Sequence, residues 1–266
     1  QAKTTNKLPR TLRRRKRKKM AMALTQPTQT GIRRLTDSGL TLGASSDRKP
    51  APDAECPTCA GFGWEPTPQG SRRCHCLRDA IKARKLAAIP PKFAAFTLGT
   101  ITPDAKRHAK QAALLDTMRA EPSASYVLCG RNGCGKTLFG WLLYRAAVER
   151  EMLACGVSCA ELMRQFRAWE FDAEKLPIVT PADLRSDERR FVFIDELDKA
   201  RASEYAAEQL FELVDAAYSH DQQIVITSNT PLDGLAEHWS RNAATIGASI
   251  VRRLMDMSGA ILVDMF

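Results

Sequence analysis

The 266-residue sequence contains no uninterrupted apolar run near the length of about 18 to 20 residues that a helix needs to cross a bilayer. No apolar segment follows its basic N-terminal stretch either, so neither a membrane span nor a secretory leader is expected, and a cytoplasmic location is. Acidic residues are missing from positions 1–19, which hold ten Lys and Arg. Without those ten, 30 basic and 30 acidic side chains balance, so the net charge of +10 belongs to a tail and not to a basic folded body. That tail, LPRTLRRRKRKK, repels itself and is expected to order only against a polyanion. Internal repeats are absent as well.

What is present fits one core of roughly 150 to 200 residues and a small module, with an ordinary 44% apolar content. Residues 1–54 read as tail and linker, with a short amphipathic piece around Ile32 to Leu42. Residues 55–89 carry a cysteine module and a helix over 77–88 that ends before Pro90-Pro91, because proline and the residue before it resist helical geometry. From residue 90 to 266, apolar strands alternate with helices. Strands are expected at 126–129, 157–159, 191–195 and 223–229, with a last apolar stretch AILVDMF at the end. Helices are expected at about 104–120, 136–152, 160–170, 203–219 and 243–256. Strands that are apolar throughout and separated by long helices indicate an α/β fold with a parallel sheet flanked by helices.

CPTC at 56–59 and CHC at 74–76 bring four thiols within one short stretch. Cys56, Cys59, Cys74 and Cys76 suit a closed tetrahedral zinc site, and so short a module needs the metal to fold. An iron–sulfur cluster, a disulfide and plain buried cysteines are the alternatives, and His75 is a fifth candidate ligand. Arg72, Arg73, Arg78, Lys82, Arg84 and Lys85 beside the module can meet phosphates, serve a protein partner or simply be solvated. Cys129, Cys134, Cys155 and Cys159 have no comparable spacing.

CGRNGCGKTLF at 129–139 holds the phosphate-loop pattern Gly130, Gly133, Gly135, Lys136, Thr137 between a strand and a helix. Its backbone N–H groups and the following helix N-terminus favour a polyphosphate, with Asn132, Cys134 and Leu138 in the same cradle. Lys136 is expected to reach the β- and γ-phosphates and Thr137 to hold Mg²⁺. FVFIDE ends a buried strand in two acids, Asp195 for the metal and Glu196 for the attacking water. Asn229 in ITSNT ends a further strand and can orient that water or cap the turn before Pro231. No N-K-x-D guanine reader occurs, so adenine is the expected base. Either Arg252 or Arg253 in IVRRLMDM can act as an arginine finger in trans, or the pair is solvated surface.

Together GRNGCGKT, FVFIDE, LFELVDAAYSHDQQIVITSNTPLDGLAEHW and IVRRLMD resemble the AAA+ ATPases of the DnaC/IstB type, from IPPKFAAFTL at about residue 90 to the end. CPTCAGFG with RRCHC resembles the cysteine module ahead of the core in loader-like members. The resemblance implies ATP, Mg²⁺ and Zn²⁺ as cofactors, Asn229 as first sensor and Arg253 as the intersubunit finger. It also implies homo-oligomers shaped as an open ring or spiral, single-stranded DNA in the channel and a replicative DnaB-type helicase as partner. Arg164 and Arg167, on the helix at 160–170, are then channel-facing phosphate contacts or a solvated face. Only 37 residues follow Asn229, too few for a full helical lid, so a reduced or absent lid and a partner-completed switch are expected. The alternative within the resemblance is an ATPase that binds duplex DNA and regulates a transposase.

Overall fold

A computed structural model of the protein describes residues 51–104, 108–241, 245–257 and 261–265. The basic tail, nearly all of the expected linker and the amphipathic piece at 32–42 lie outside them. In chain order, β1 (Trp64–Thr67) and β2 (Gly70–Arg73) form an antiparallel hairpin, followed by α1 (His75–Ala87), α2 (Pro91–Ala94) and α3 (Ala109–Ala120). Next come β3 (Tyr126–Gly130), α4 (Lys136–Glu149), β4 (Leu153–Ser158), α5 (Cys159–Phe171), α6 (Pro181–Leu184) and β5 (Arg190–Asp195). A 3-10 turn at Leu197–Lys199, α7 (Glu204–Ser219), β6 (Gln223–Ser228), α8 (Leu232–Ser240), α9 (Ile246–Asp256) and β7 (Ile261–Met265) complete the order.

β3 to β7 make one parallel sheet in the order β4-β5-β6-β3-β7. Successive side chains point to opposite faces, so each apolar strand feeds two cores. Val127, Val192, Ile194, Ile224 and Ile226 pack with α5, α7, α8 and α9. Tyr126, Leu128, Phe191, Phe193 and Val225 pack on the other side with α3 and α4. α4 lies close on the sheet at Gly140, where an added Cβ would fall 2.2 Å from Phe193 Cζ. Glycine there lets α4 settle on β5, with Trp141 edge-on to Phe193 at 5.4 Å. Because α4 begins at the phosphate loop, this contact also fixes where that loop stands over the sheet.

The ends of the helices are set locally. Ser158 accepts from the Glu161 N–H at the start of α5, and Ser203 from the Ala206 N–H at the start of α7. α1 stops ahead of the two prolines and packs on α4. Tyr144 Oη donates to the Lys85 carbonyl at 3.1 Å, and Lys85 Nζ donates to the Ala154 carbonyl at 3.3 Å. Arg78 pairs with Glu151 at 3.1 Å, and Ile89 is buried in the α4 side of the core. The cysteine module is thereby tied to the sheet domain through a helix.

Several elements differ from the sequence expectations. The strand expected at 157–159 runs earlier and longer, and Cys159 opens α5 instead. The helix expected from about 104 is helical from Ala109, and the one expected from about 243 from Ile246, with 105–107 and 242–244 outside the described residues. The hairpin β1–β2 and helix α8 were not expected at all. Among the described residues no helix is long and apolar enough to cross a membrane.

Candidate functional site

Three neighbouring strands end at one cavity. β3 runs into the glycine loop, where Gly133 and Gly135 take φ of +80° and +100°, values that side-chain-bearing residues rarely adopt. This turns the chain sharply enough for α4 to start at Lys136, so its first N–H groups face the loop. β5 ends at Asp195 and β6 at Ser228, just before Asn229. A cavity of about 270 Å³ is lined by Asn132, Lys136, Thr137, Glu196, Thr227 and Asn229, with Phe93 from α2 at its edge. A second cavity of about 230 Å³ shares Gly133, Gly135 and Leu138 with it. Ile101, Pro103 and Phe139 make its apolar wall, and His108 and Gln111 its polar one.

Within the first cavity the polar groups hold one another. Lys136 is buried, and its ammonium donates to the carbonyls of Gly130 at 2.7 Å and Arg131 at 2.9 Å. Thr137 Oγ1 donates to both oxygens of Asp195, at 3.1 and 3.2 Å. A hydroxyl and a carboxylate this close are a hard-oxygen pair of the kind Mg²⁺ takes. The open loop, the buried ammonium and the oxygen pair together fit a Mg²⁺-bound polyphosphate.

Glu196 follows in a left-handed conformation, φ 54° and ψ 57°, which costs a non-glycine residue about 1 to 2 kcal/mol. Glu196 is exposed and lines the cavity. Asn229 is held by Asp198, which accepts from its backbone N–H at 2.9 Å and from Nδ2 at 3.3 and 3.4 Å. With Nδ2 committed, the amide's orientation is fixed.

Lys136, Thr137, Asp195, Glu196 and Asn229 therefore come together as the sequence leads one to expect. Arg253 does not stand free. Its Nε donates to Asp215 Oδ1 on α7 at 2.5 Å, and its guanidinium lies 5.1 Å from the Tyr218 ring and 5.9 Å from that of Phe211. Arg252 is the more exposed of the two and pairs with Asp256 one turn on. Arg164 and Arg167 are both exposed on α5, Arg164 pairing with Glu161. Phe171 continues their face at helical spacing and is 84% exposed, a feature missed in the sequence. Thr227 and the grip of Asp198 were missed too, and the one signal was a run of hydroxyls in an otherwise apolar strand.

The four thiols also converge. The Sγ atoms of Cys56, Cys59, Cys74 and Cys76 all lie within 4.8 Å of one another. Cys56 and Cys74 are 3.7 Å apart and Cys59 and Cys76 3.5 Å. Tetrahedral bonds of about 2.3 Å would space the sulfurs about 3.8 Å apart, so the cluster has the size of a zinc site. Burial opposes charge on Cys56, yet the N–H groups of Cys59 and Thr58 and the adjoining thiols draw it down to about 6. Burial pushes Cys74 and Cys76 up. Four thiols packed this closely become thiolates together only beside a cation. His75 stays half exposed outside the cluster, its ring nitrogens 3.5 and 3.8 Å from Cys74 and Cys56 sulfur.

Fold and site define an AAA+-like nucleotide-binding domain with a cysteine cluster in front of it. Residues 72–264 match the family model described as IstB-like ATP binding protein, and the chain belongs to that family. A search of the curated proteins found no match. Among solved structures, the DnaC helicase loader is similar at 15% identity and a TM-score of 0.49, over 65% of this chain and 99% of that one. DnaI is similar at 17% identity and 0.48, over 68% and 96%. AMPPCP-bound DnaA from Aquifex aeolicus is similar at 13% identity and 0.49, over 66% of this chain and half of that one.

Proposed function

We propose that the chain is an ATP-dependent helicase loader, which binds and hydrolyses ATP and uses the nucleotide state to switch its hold on a replicative DnaB-type helicase and single-stranded DNA. The observation that carries the ATPase part is the convergence of Lys136, Thr137, Glu196 and Asn229 from three adjacent strand ends on one cavity, with Asp195 bonded to Thr137. In this reading Gly130 to Leu138 cradle the phosphates and Lys136 leaves its carbonyl partners for them. Thr137 and Asp195 hold Mg²⁺, Glu196 takes the proton of the attacking water, and Asn229 orients that water. The base lies in the neighbouring cavity against Ile101, Pro103 and Phe139. ATP, when bound, supplies the γ-phosphoryl group. The cysteine cluster holds zinc and makes residues 55–89 a folded unit ahead of the ATPase domain.

The loader part rests on the motif resemblance and the cysteine module. It is also supported by the α5 face, where two exposed arginines and an exposed phenylalanine suit phosphates and an unstacked base. Arg253 acts in trans in an open ring or spiral only once its clasp with Asp215 opens. The family match favours a second reading, an IstB-like ATPase that binds duplex DNA and regulates a transposase.

Mixing the chain with the replicative helicase from the same source, in ATP and in ADP, separates the two. The loader reading expects a nucleotide-sensitive complex and delivery of helicase onto single strands. On those strands, Arg164→Ala and Arg167→Ala should each flatten the log-affinity against log-salt slope by about 0.7, while Phe171→Ala weakens binding without changing it. No helicase complex in any nucleotide, together with filaments on duplex DNA and stimulation of a transposase, would sink the loader reading.

A further inference from the structure

We infer that Thr227 is a positioning residue for ATP hydrolysis, holding Asp195 and Glu196 in fixed relation so that both carboxylates serve the same cavity. The inference deepens the ATPase reading and rests on it. The backbone ladder between β5 and β6 runs up to Ile194 opposite Ile226. At the next step side chains take over. Thr227 Oγ1 donates its only proton to Asp195 Oδ1 at 2.5 Å and accepts from the Glu196 N–H at 2.9 Å. One hydroxyl thus ties the carboxylate of the first acid to the backbone of the second.

Folding alone does not call for this hydroxyl. Thr227 is 1% exposed, and valine would suit a buried strand while avoiding the burial of a polar group. What the hydroxyl adds is control of two groups that need it. Glu196 is in a left-handed conformation that its neighbours must sustain, and its N–H is held by Thr227. Asp195 receives two hydroxyls, those of Thr137 and Thr227. Thr137 has a second task at the metal in the reading above. Thr227 has none, and among the described residues it is the hydroxyl left to keep Asp195 oriented while Thr137 serves the metal.

The test compares Thr227→Val and Thr227→Ser with the parent full-length chain. Valine keeps the shape and removes both bonds, whereas serine keeps the hydroxyl. Thr227→Val should lower kcat and raise the Mg²⁺ concentration for half-maximal binding of a fluorescent ATP analogue, each by about tenfold or more. At saturating Mg²⁺ the KM for ATP should stay within about twofold, and Thr227→Ser should recover most of both losses. Parent-like kcat and Mg²⁺ demand in Thr227→Val would overturn the proposal. So would equal losses in both variants that track their melting temperatures, since a purely structural role predicts that. A parent chain without hydrolysis would overturn the ATPase reading instead, and the Mg²⁺ titration of analogue binding would still decide whether Thr227 orients Asp195.

Discussion

Replacing Glu196 by Gln is expected to leave ATP binding near the parent value while slowing steady-state hydrolysis about 10²- to 10⁴-fold. Glutamine keeps the size and the left-handed backbone but cannot take a proton from water. The phosphate-facing groups, Lys136 and the glycine loop, come from β3 and α4 and are untouched by the change. Asp195 also keeps its bonds to Thr137 and Thr227. Binding and chemistry should therefore separate cleanly, with analogue titrations unchanged and phosphate release lost. A Glu196→Gln chain that hydrolyses at the parent rate would move the general base elsewhere in the cavity.

Taking metal from the cysteine cluster should unfold residues 55–74 and leave the five-stranded sheet in place. Three of the four cysteines are the buried apolar residues of that small cluster, with Cys76 packed beside them. The Arg72–Glu65 pair on the hairpin is exposed on the arginine side and adds little. Structural zinc in small modules contributes about 10 to 16 kcal/mol of apparent binding energy, far beyond what this hairpin can supply itself. Elemental analysis should find one zinc per chain. After chelation, hydrogen exchange should rise steeply at Gly63, whose N–H donates to Cys59 Sγ, and change little in β3 and β5. A protected hairpin without metal would refute the site. Because α1 starts at His75 and packs on α4, its first turn should loosen while the part bonded to Tyr144 holds.

Much of the fold was legible because a parallel sheet covered on both faces needs unbroken apolar strands. YVLC, FVFID and QIVITS carry that mark, and the glycine loop and the acid pair fall at their ends. The hairpin was not legible, since four-residue strands reading WEPT and GSRR carry no apolar run and are held by thiols rather than by a core. α8 was hidden by Gly234 near its start and Pro231 before it, though Leu235 and Trp239, one turn apart, are both fully buried. The surroundings of the site residues were the least visible. Asp215 lies 38 positions from Arg253 and Asp198 31 from Asn229, and only the folded chain brings them together. Thr227 looked like one more strand residue until its hydroxyl was seen between two acids.

The measurement that bears most directly on the central claim is an equilibrium titration of the full chain and of Lys136→Ala with ATP and GTP in the presence of Mg²⁺. Lys136 is the one buried ammonium at the loop among the described residues, and hydrogen bonds to charged groups are worth about 1.5 to 3 kcal/mol each. The account predicts saturable binding of ATP in preference to GTP by the parent chain, and a loss of affinity of about 10²-fold or more in Lys136→Ala. A parent chain that binds no nucleotide, or a Lys136→Ala chain that binds ATP as the parent does, would contradict it.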